Sequence, residues 1–181
     1  MIEQLNELDH AAFLFLNGLH VYFLDDFMVL ITKTATWIPF YALLVFFLYK
    51  KFGKNIFWVL LIIALTITLA DQFASSFMKP LVARLRPCNV YKVHLLVGCG
   101  EFGFISSHAA NTFALAFLIA NFFKKNWIFF GMFLWASIVS YSRIYVGVHY
   151  PADLFFGALS GVFFAFFILK IFQNRLRTFA N

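Results

Sequence analysis

The sequence predicts an all-α fold, a polytopic transmembrane helical bundle of about six helices in a single domain over residues 1–181, and three observations carry this expectation. The chain is 63% hydrophobic and 12% charged, with a mean hydropathy of +0.85. Soluble domains average about 45–50% apolar and about 25% charged residues, and a soluble fold of this size has too little interior to bury such an excess. The apolar residues fall into runs of helical length, close to what a bilayer requires. The short connections between these runs carry clusters of Lys and Arg that lie on one side if the runs alternate.

Each element follows in chain order. The first nine residues carry acids rather than a basic leader and precede no small-residue cleavage site, so no cleavable signal peptide is expected and the first membrane segments direct insertion. The run at 11–23 is short and contains Asn17 and His20, which are given no catalytic role. It fits either a short span or a helix lying in the interface. Longer apolar runs follow at 27–49 and 56–78. A polar loop with Gly and Pro occupies 79–105, and three further helices are expected at 107–123, 127–146 and 151–172. No internal repeat, low-complexity tract or second domain interrupts this order.

Alternating passes place Lys50, Lys51 and Lys54, then Lys124 and Lys125, then Lys170, Arg175 and Arg177 on one side, the cytoplasmic one by the positive-inside rule. The opposite side receives Asp25, Asp26, the 79–105 loop and the 143–151 turn. The expectation is therefore a multi-pass membrane protein with its functional face on the outer side. The net charge of +6 is accounted for by this asymmetry, and no basic stripe interleaved with exposed aromatics points to nucleic acid. Lys79, Arg84, Arg86 and Arg143, however, lie on the side the rule disfavours and need another reason.

Three segments converge on that face. Lys79 and Arg86-Pro87 open the polar loop, Ser106-Ser107-His108 opens the fourth long helix, and Ser142-Arg143 is followed by His149 and Asp153 around the start of the last. Lys79, Arg86 and Arg143 would place three cations around one anion, the Arg residues matching phosphate oxygens with a planar fork. Taken singly, each also reads as a basic side chain snorkelling to the headgroups. Ser106 suits a helix N-cap, and the free N–H groups behind it, including that of Ser107, favour an anion; simple capping is the plainer reading. Asp153, four residues after His149, can hold one ring nitrogen and leave the other nucleophilic, or it can merely complement the helix dipole. Together the residues supply what phosphoryl transfer needs: charge neutralisation, a nucleophile (His149, oriented by Asp153) and an acid for the leaving oxygen (His108). No cluster of carboxylates or His/Cys ligands suggests a metal, and no cofactor is expected.

These segments resemble the three signature motifs of the type 2 phosphatidic acid phosphatase (PAP2) superfamily, which also contains vanadium haloperoxidases. Lys79, Arg86 and Pro87 match the first motif, and Ser142, Arg143, His149 and Asp153 the third. The second, usually Pro-Ser-Gly-His, reads Ile105-Ser106-Ser107-His108, so Ser and His are kept while Ser107 replaces glycine. The resemblance implies that His149 forms a phosphohistidine supported by Asp153, that His108 protonates the leaving group, and that Lys79, Arg86, Ser106, Arg143 and the Ser107 backbone bind the phosphate without a metal. The implied substrate is a membrane lipid phosphate or diphosphate, undecaprenyl diphosphate first, with phosphatidylglycerophosphate and lipid A 1-phosphate as alternatives. An inactive lipid-phosphate binder or a transporter are the readings from other classes; the ionisable residues crowd one face rather than lining a path, which disfavours transport.

Three further expectations can be checked. Lys33 and Asp71 count to similar depths at about 1.5 Å per residue and are expected either to form an ion pair beneath the site or to hydrogen-bond separately to polar neighbours. Cys88 and Cys99 share the outer loop, where they could bridge or remain free thiols. Glu101 could meet Arg84 or substrate, or remain a solvated loop carboxylate.

Overall fold

A computed structural model describes residues 2–178, with side chains from residue 3. Helices α1 (Ile2–Gly18), α2 (Asp25–Thr32), α3 (Ile38–Phe52) and α4 (Ile56–Gln72) are followed by short helices α5 (Lys79–Val82) and α6 (Pro87–Val90). The long helices α7 (Ser107–Phe123), α8 (Asn126–Tyr145) and α9 (Pro151–Ile171) and the short α10 (Gln173–Thr178) complete the chain. Among the described residues the only β feature is an isolated bridge between Leu85 and Phe102.

Three stretches are long and apolar enough to cross a membrane: Thr34–Val82, Asn126–Tyr145 and Pro151–Ile171. The first is a hairpin of two helices. Gly53, at φ +52°, ends α3, and the contacts on either side run in opposite directions: Trp37 meets Trp135 and Phe52 meets Phe122, whereas Asp71 meets Asn111 and Lys79 meets Ser107. With α7, which is apolar but shorter, and with α2 and α3 taken together, the described chain makes five passes through the bundle. Its outer surface is apolar, with Phe130, Leu134, Phe155, Phe163, Phe166 and Phe167 all exposed. Such a surface is at home in lipid, and the chain is a multi-pass membrane protein.

The first segment does not add a sixth pass. The helix from Glu3 to Gly18 meets the one from Tyr22 to Thr32 at 89°. It lies across the ends of α8 and α9, where Asn17 Nδ2 donates to the carbonyls of Ile144 and Tyr145 and Asp9 accepts from the Ala152 N–H. The open choice between span and surface helix is thus decided for the latter. The second predicted helix is also broken: α2 ends at Lys33, whose extended ψ of 123° leads into a 3₁₀ turn over Thr34–Trp37.

That break removes the expected Lys33–Asp71 ion pair. Counting depth along a straight helix fails across it, Lys33 is exposed, and the Asp71 carboxylate instead accepts from Asn111 Nδ2 at 3.0 Å. Cys88 and Cys99 are joined by a disulfide, Cα to Cα 6.4 Å, closing the outer loop on itself.

The closest helix packing in the bundle is between α7 and α9. A Cβ on Gly157 would stand 2.6 Å from the Ser106 carbonyl oxygen, and one on Gly161 would collide with the carbonyl of Ala110. Facing them are Ala109, Ala110 and Ala114, all fully buried. Small residues four apart allow backbones to approach this closely in lipid, where dispersion replaces the hydrophobic effect as the cohesive force. The contact matters for function because it presses the start of α7 against the start of α9: the Ser106 N–H donates to the Asp153 carbonyl at 2.9 Å. Gly161→Leu is expected to destabilise the fold by about 3 kcal/mol, the upper range for overpacking, read as a lowered thermal midpoint in detergent; an unchanged midpoint would contradict this packing account.

Candidate active site

Four stretches of backbone build the site. A π-helical turn over Phe73–Met78 ends α4 and rotates Lys79 into place; such turns alter the phase of a helix locally. Lys79 Nζ donates to Ser107 Oγ at 3.0 Å. The serine at the usual glycine position therefore holds the lysine. Arg86 lies in the loop between α5 and α6, its Nε donating to the Phe102 carbonyl at 3.0 Å and its backbone N–H to that of Glu101. Ser106, fully buried, caps α7, its hydroxyl accepting from the Ala109 N–H. Glu101 itself is exposed, as expected of a solvated loop carboxylate.

Thr32, at the broken end of α2, supports Arg143, which donates to its hydroxyl at 2.6 Å. Arg143 is 8% exposed, and its Nε has no hydrogen-bond partner among the described residues.

His149 sits in the turn between α8 and α9, 2% exposed. Its Nδ1 lies 3.1 Å from Asp153 Oδ2, which also accepts the Tyr150 N–H. A carboxylate accepts, so Nδ1 carries the proton and Nε2 keeps its lone pair. Gly103 closes over this pair: a Cβ there would lie 2.9 Å from Asp153 Oδ2 and 3.3 Å from Arg86 Cγ, so only glycine lets the loop pass so near. Lys79, Arg86, Ser106, Ser107, His108, Arg143, His149 and Asp153 are thereby brought to one end of the bundle.

The electrostatics are uneven in an informative way. Among the described residues, Lys79, Arg86 and Arg143 form no ion pair with a carboxylate, while the fourth basic residue, Arg84, forms two. Three partly or wholly buried cations gathered without counter-charge are costly unless an anion completes them. Burial lowers the Arg86 pKa from its very basic range while Asp153 works against the shift, and a guanidinium stays charged at neutral pH.

The motifs also left residues unread. Arg84, Asp9, His10, Tyr150, Thr32 and Gly103 all contact the site or its supports, and only Arg84 was signalled, by its position against the positive-inside rule.

A cluster of cations beside a carboxylate-held histidine, sited where membrane helices end, is the equipment of a phosphatase that works on lipid. The chain belongs to the PAP2 superfamily, whose model matches residues 57–177. It is 45% identical over 172 residues to the lipid A 4'-phosphatase of Bacteroides thetaiotaomicron, covering 90% of this chain and 76% of that one. It is 32% identical over 155 residues to the undecaprenyl-diphosphatase of Sulfolobus acidocaldarius, covering 82% and 70%. The crystal structure of Aquifex aeolicus LpxE superposes with a TM-score of 0.70 at 27% identity, covering 88% of this chain and 93% of that one.

One pH prediction follows from the turn. Burial, working against Asp153, pushes the His149 pKa down from 6.5 to about 4. A protonated imidazole has no lone pair, so a depressed value keeps His149 neutral as the pH falls. The acid limb of kcat/KM due to His149 is expected well below pH 6; a midpoint near 6.5 in the pH–rate profile would contradict it.

Proposed function

We propose that the protein removes a phosphate from lipid A through a phosphohistidine on His149, without a metal. The observation that carries this reading is the set of three cations, Lys79, Arg86 and Arg143, that have no carboxylate partner among the described residues and surround a buried His149–Asp153 pair. His149 Nε2 attacks phosphorus in line with the departing oxygen. The P–O bond to the lipid breaks and His108 gives its proton to the leaving alkoxide. Water, deprotonated by His108, then attacks the phosphohistidine, releasing inorganic phosphate and restoring the neutral imidazole. The cations, the Ser107 N–H and the Ser106 hydroxyl neutralise the phosphoryl oxygens throughout.

The family resemblance put undecaprenyl diphosphate first, but the motifs read phosphate and not the lipid that bears it. The 45% identical relative, named a lipid A 4'-phosphatase, supports lipid A over that choice. Undecaprenyl diphosphate is kept as the second reading on the strength of the 32% identical relative. Lipid A and undecaprenyl diphosphate both keep their chains in the bilayer while the phosphate reaches a site at its surface. With the lysine-rich turns cytoplasmic, the site and α1 face the periplasm of an inner membrane.

The test is phosphate release by detergent-solubilised protein from lipid A, undecaprenyl diphosphate, phosphatidylglycerophosphate and phosphatidic acid, each with and without EDTA. Release from lipid A that EDTA leaves unchanged is expected. Preferential release from undecaprenyl diphosphate would replace the substrate, EDTA sensitivity would overturn the metal-free mechanism, and binding without release would make the protein a lipid-phosphate binder.

A further inference from the structure

Arg84 stands apart from the other cations of the site because its charge is already matched. Its Nη1 donates to Asp153 Oδ1 at 3.1 Å and its Nη2 to Asp9 Oδ2 at 2.7 Å, with Asn6 Oδ1 also within reach of Nη2 at 3.2 Å. Its guanidinium lies over the Tyr150 ring, 3.9 Å from the centroid. On the opposite end of this chain of contacts, Asp9 Oδ1 accepts the Ala152 N–H at 2.8 Å, so the same carboxylate grips Arg84 and the first turn of α9. His10, next along α1, stacks on Tyr150 with centroids 4.5 Å apart.

We propose that Arg84 and Asp9 are positioning residues of the reaction, α1 reaching over the end of the bundle to lock the Asp153 carboxylate in the orientation that aims His149. This rests on the reading of His149 as the nucleophile. Asp153 has two oxygens with separate duties. Oδ2 takes the His149 Nδ1–H and the Tyr150 N–H, and Oδ1 takes Arg84, its one hydrogen-bond partner among the described residues. Asp153 is fully buried, so without Arg84 water cannot readily take over Oδ1, and the carboxylate is left to rotate or to swap oxygens on the imidazole. Either movement tilts His149, and a nucleophile displaced by about 1 Å can lose about 100-fold in rate. Asp9 matters one step further out, because it holds Arg84 against α9 rather than towards the phosphate.

The experiment uses the full chain in detergent with the best substrate of the panel, comparing wild type, Arg84→Gln, Arg84→Ala, Asp9→Asn, the double variant Arg84→Gln with Asp9→Asn, and His149→Ala. Arg84→Gln is expected to lower kcat by about 100-fold and Asp9→Asn by about tenfold, with KM within about twofold because Lys79, Arg86 and Arg143 are untouched. The double variant should match Arg84→Gln alone, since both act through one carboxylate. Added guanidinium should restore part of the kcat of Arg84→Ala, a recovery that a purely structural defect would not show. A raised KM at unchanged kcat would mean that Arg84 binds substrate phosphate instead, and unchanged kinetics or independent, multiplicative losses would overturn the proposal. Should wild type release no phosphate, the functional reading fails on its own account. The positioning claim is then decided by ¹⁵N NMR of the His149 ring, where Arg84→Gln should disturb the Nδ1-protonated tautomer and an unaltered tautomer would overturn it.

Discussion

Replacing His149 with alanine is expected to lower kcat by about 10⁴-fold or more, the scale on which loss of a covalent nucleophile is felt. His149 is buried, its Nδ1 is tied to Asp153, and its position in the short turn between α8 and α9 leaves one nitrogen for attack. The cations that gather the phosphate remain, so binding should persist while turnover fails. Rapid-quench labelling with ³²P-substrate makes the measurement specific: wild type should carry an acid-labile, base-stable phosphoryl group that His149→Ala lacks. Retention of more than about a tenth of wild-type kcat would remove His149 from the mechanism, because general acid–base assistance alone is worth about 10²–10⁴-fold.

Arg143→Ala is expected to cost about 10²–10³-fold in kcat/KM, the usual effect of deleting one preorganised donor at a centre of developing charge. Arg143 is held from beneath by Thr32 at 2.6 Å, is 8% exposed, and keeps a buried Nε with no partner among the described residues. Its side chain is therefore fixed before substrate arrives and has a donor to offer. Arg143→Lys should recover only part of the loss, since a lysine restores the charge but cannot span Thr32 and a phosphate oxygen with one planar fork. Full activity in Arg143→Lys would show that charge alone is needed and that the fork geometry is irrelevant. Thr32→Val offers a milder companion, removing the support while leaving the cation.

The eight residues expected from the sequence arrive together at one end of the bundle, and the reason is local. Each lies at or beside a helix end, and the alternation of passes brings those ends to one face whatever their detailed packing. The Cys88–Cys99 bridge was open for a related reason: a shared loop allows a disulfide, but only the path of the chain brings the two Cα atoms within reach. Ser107 shows the same limit at the level of one side chain. Its departure from glycine was plain in the sequence, yet that its hydroxyl would hold Lys79 depended on a π-helical turn no pattern announced.

The expected Lys33–Asp71 pair failed because it assumed an unbroken helix. At Lys33 the backbone turns extended, and Asp71 is satisfied across the bundle by Asn111. The short first segment was ambiguous because its apolar length suits a span and its polar residues suit a surface. Asn17 resolves this, its amide donating to the carbonyls of Ile144 and Tyr145 at the end of α8. Neither outcome could be read from periodicity, which reports a helix's faces and not its neighbours.

By itself, the sequence determined that lipid is the solvent, that the helices alternate, and that three cations, two histidines and an aspartate meet at one face. Composition, hydropathy and charge asymmetry are properties of single segments, so they survive without coordinates. Only the tertiary structure decided that α1 lies across the site and joins Asp9 through Arg84 to Asp153, and that Thr32 carries Arg143. These contacts link residues 75 and 111 positions apart, and 143 positions apart for Asp9 and Ala152. Such pairings depend on the crossing of whole helices, set by the close approach of α7 and α9 at Gly157 and Gly161, and that geometry is a property of the packed chain.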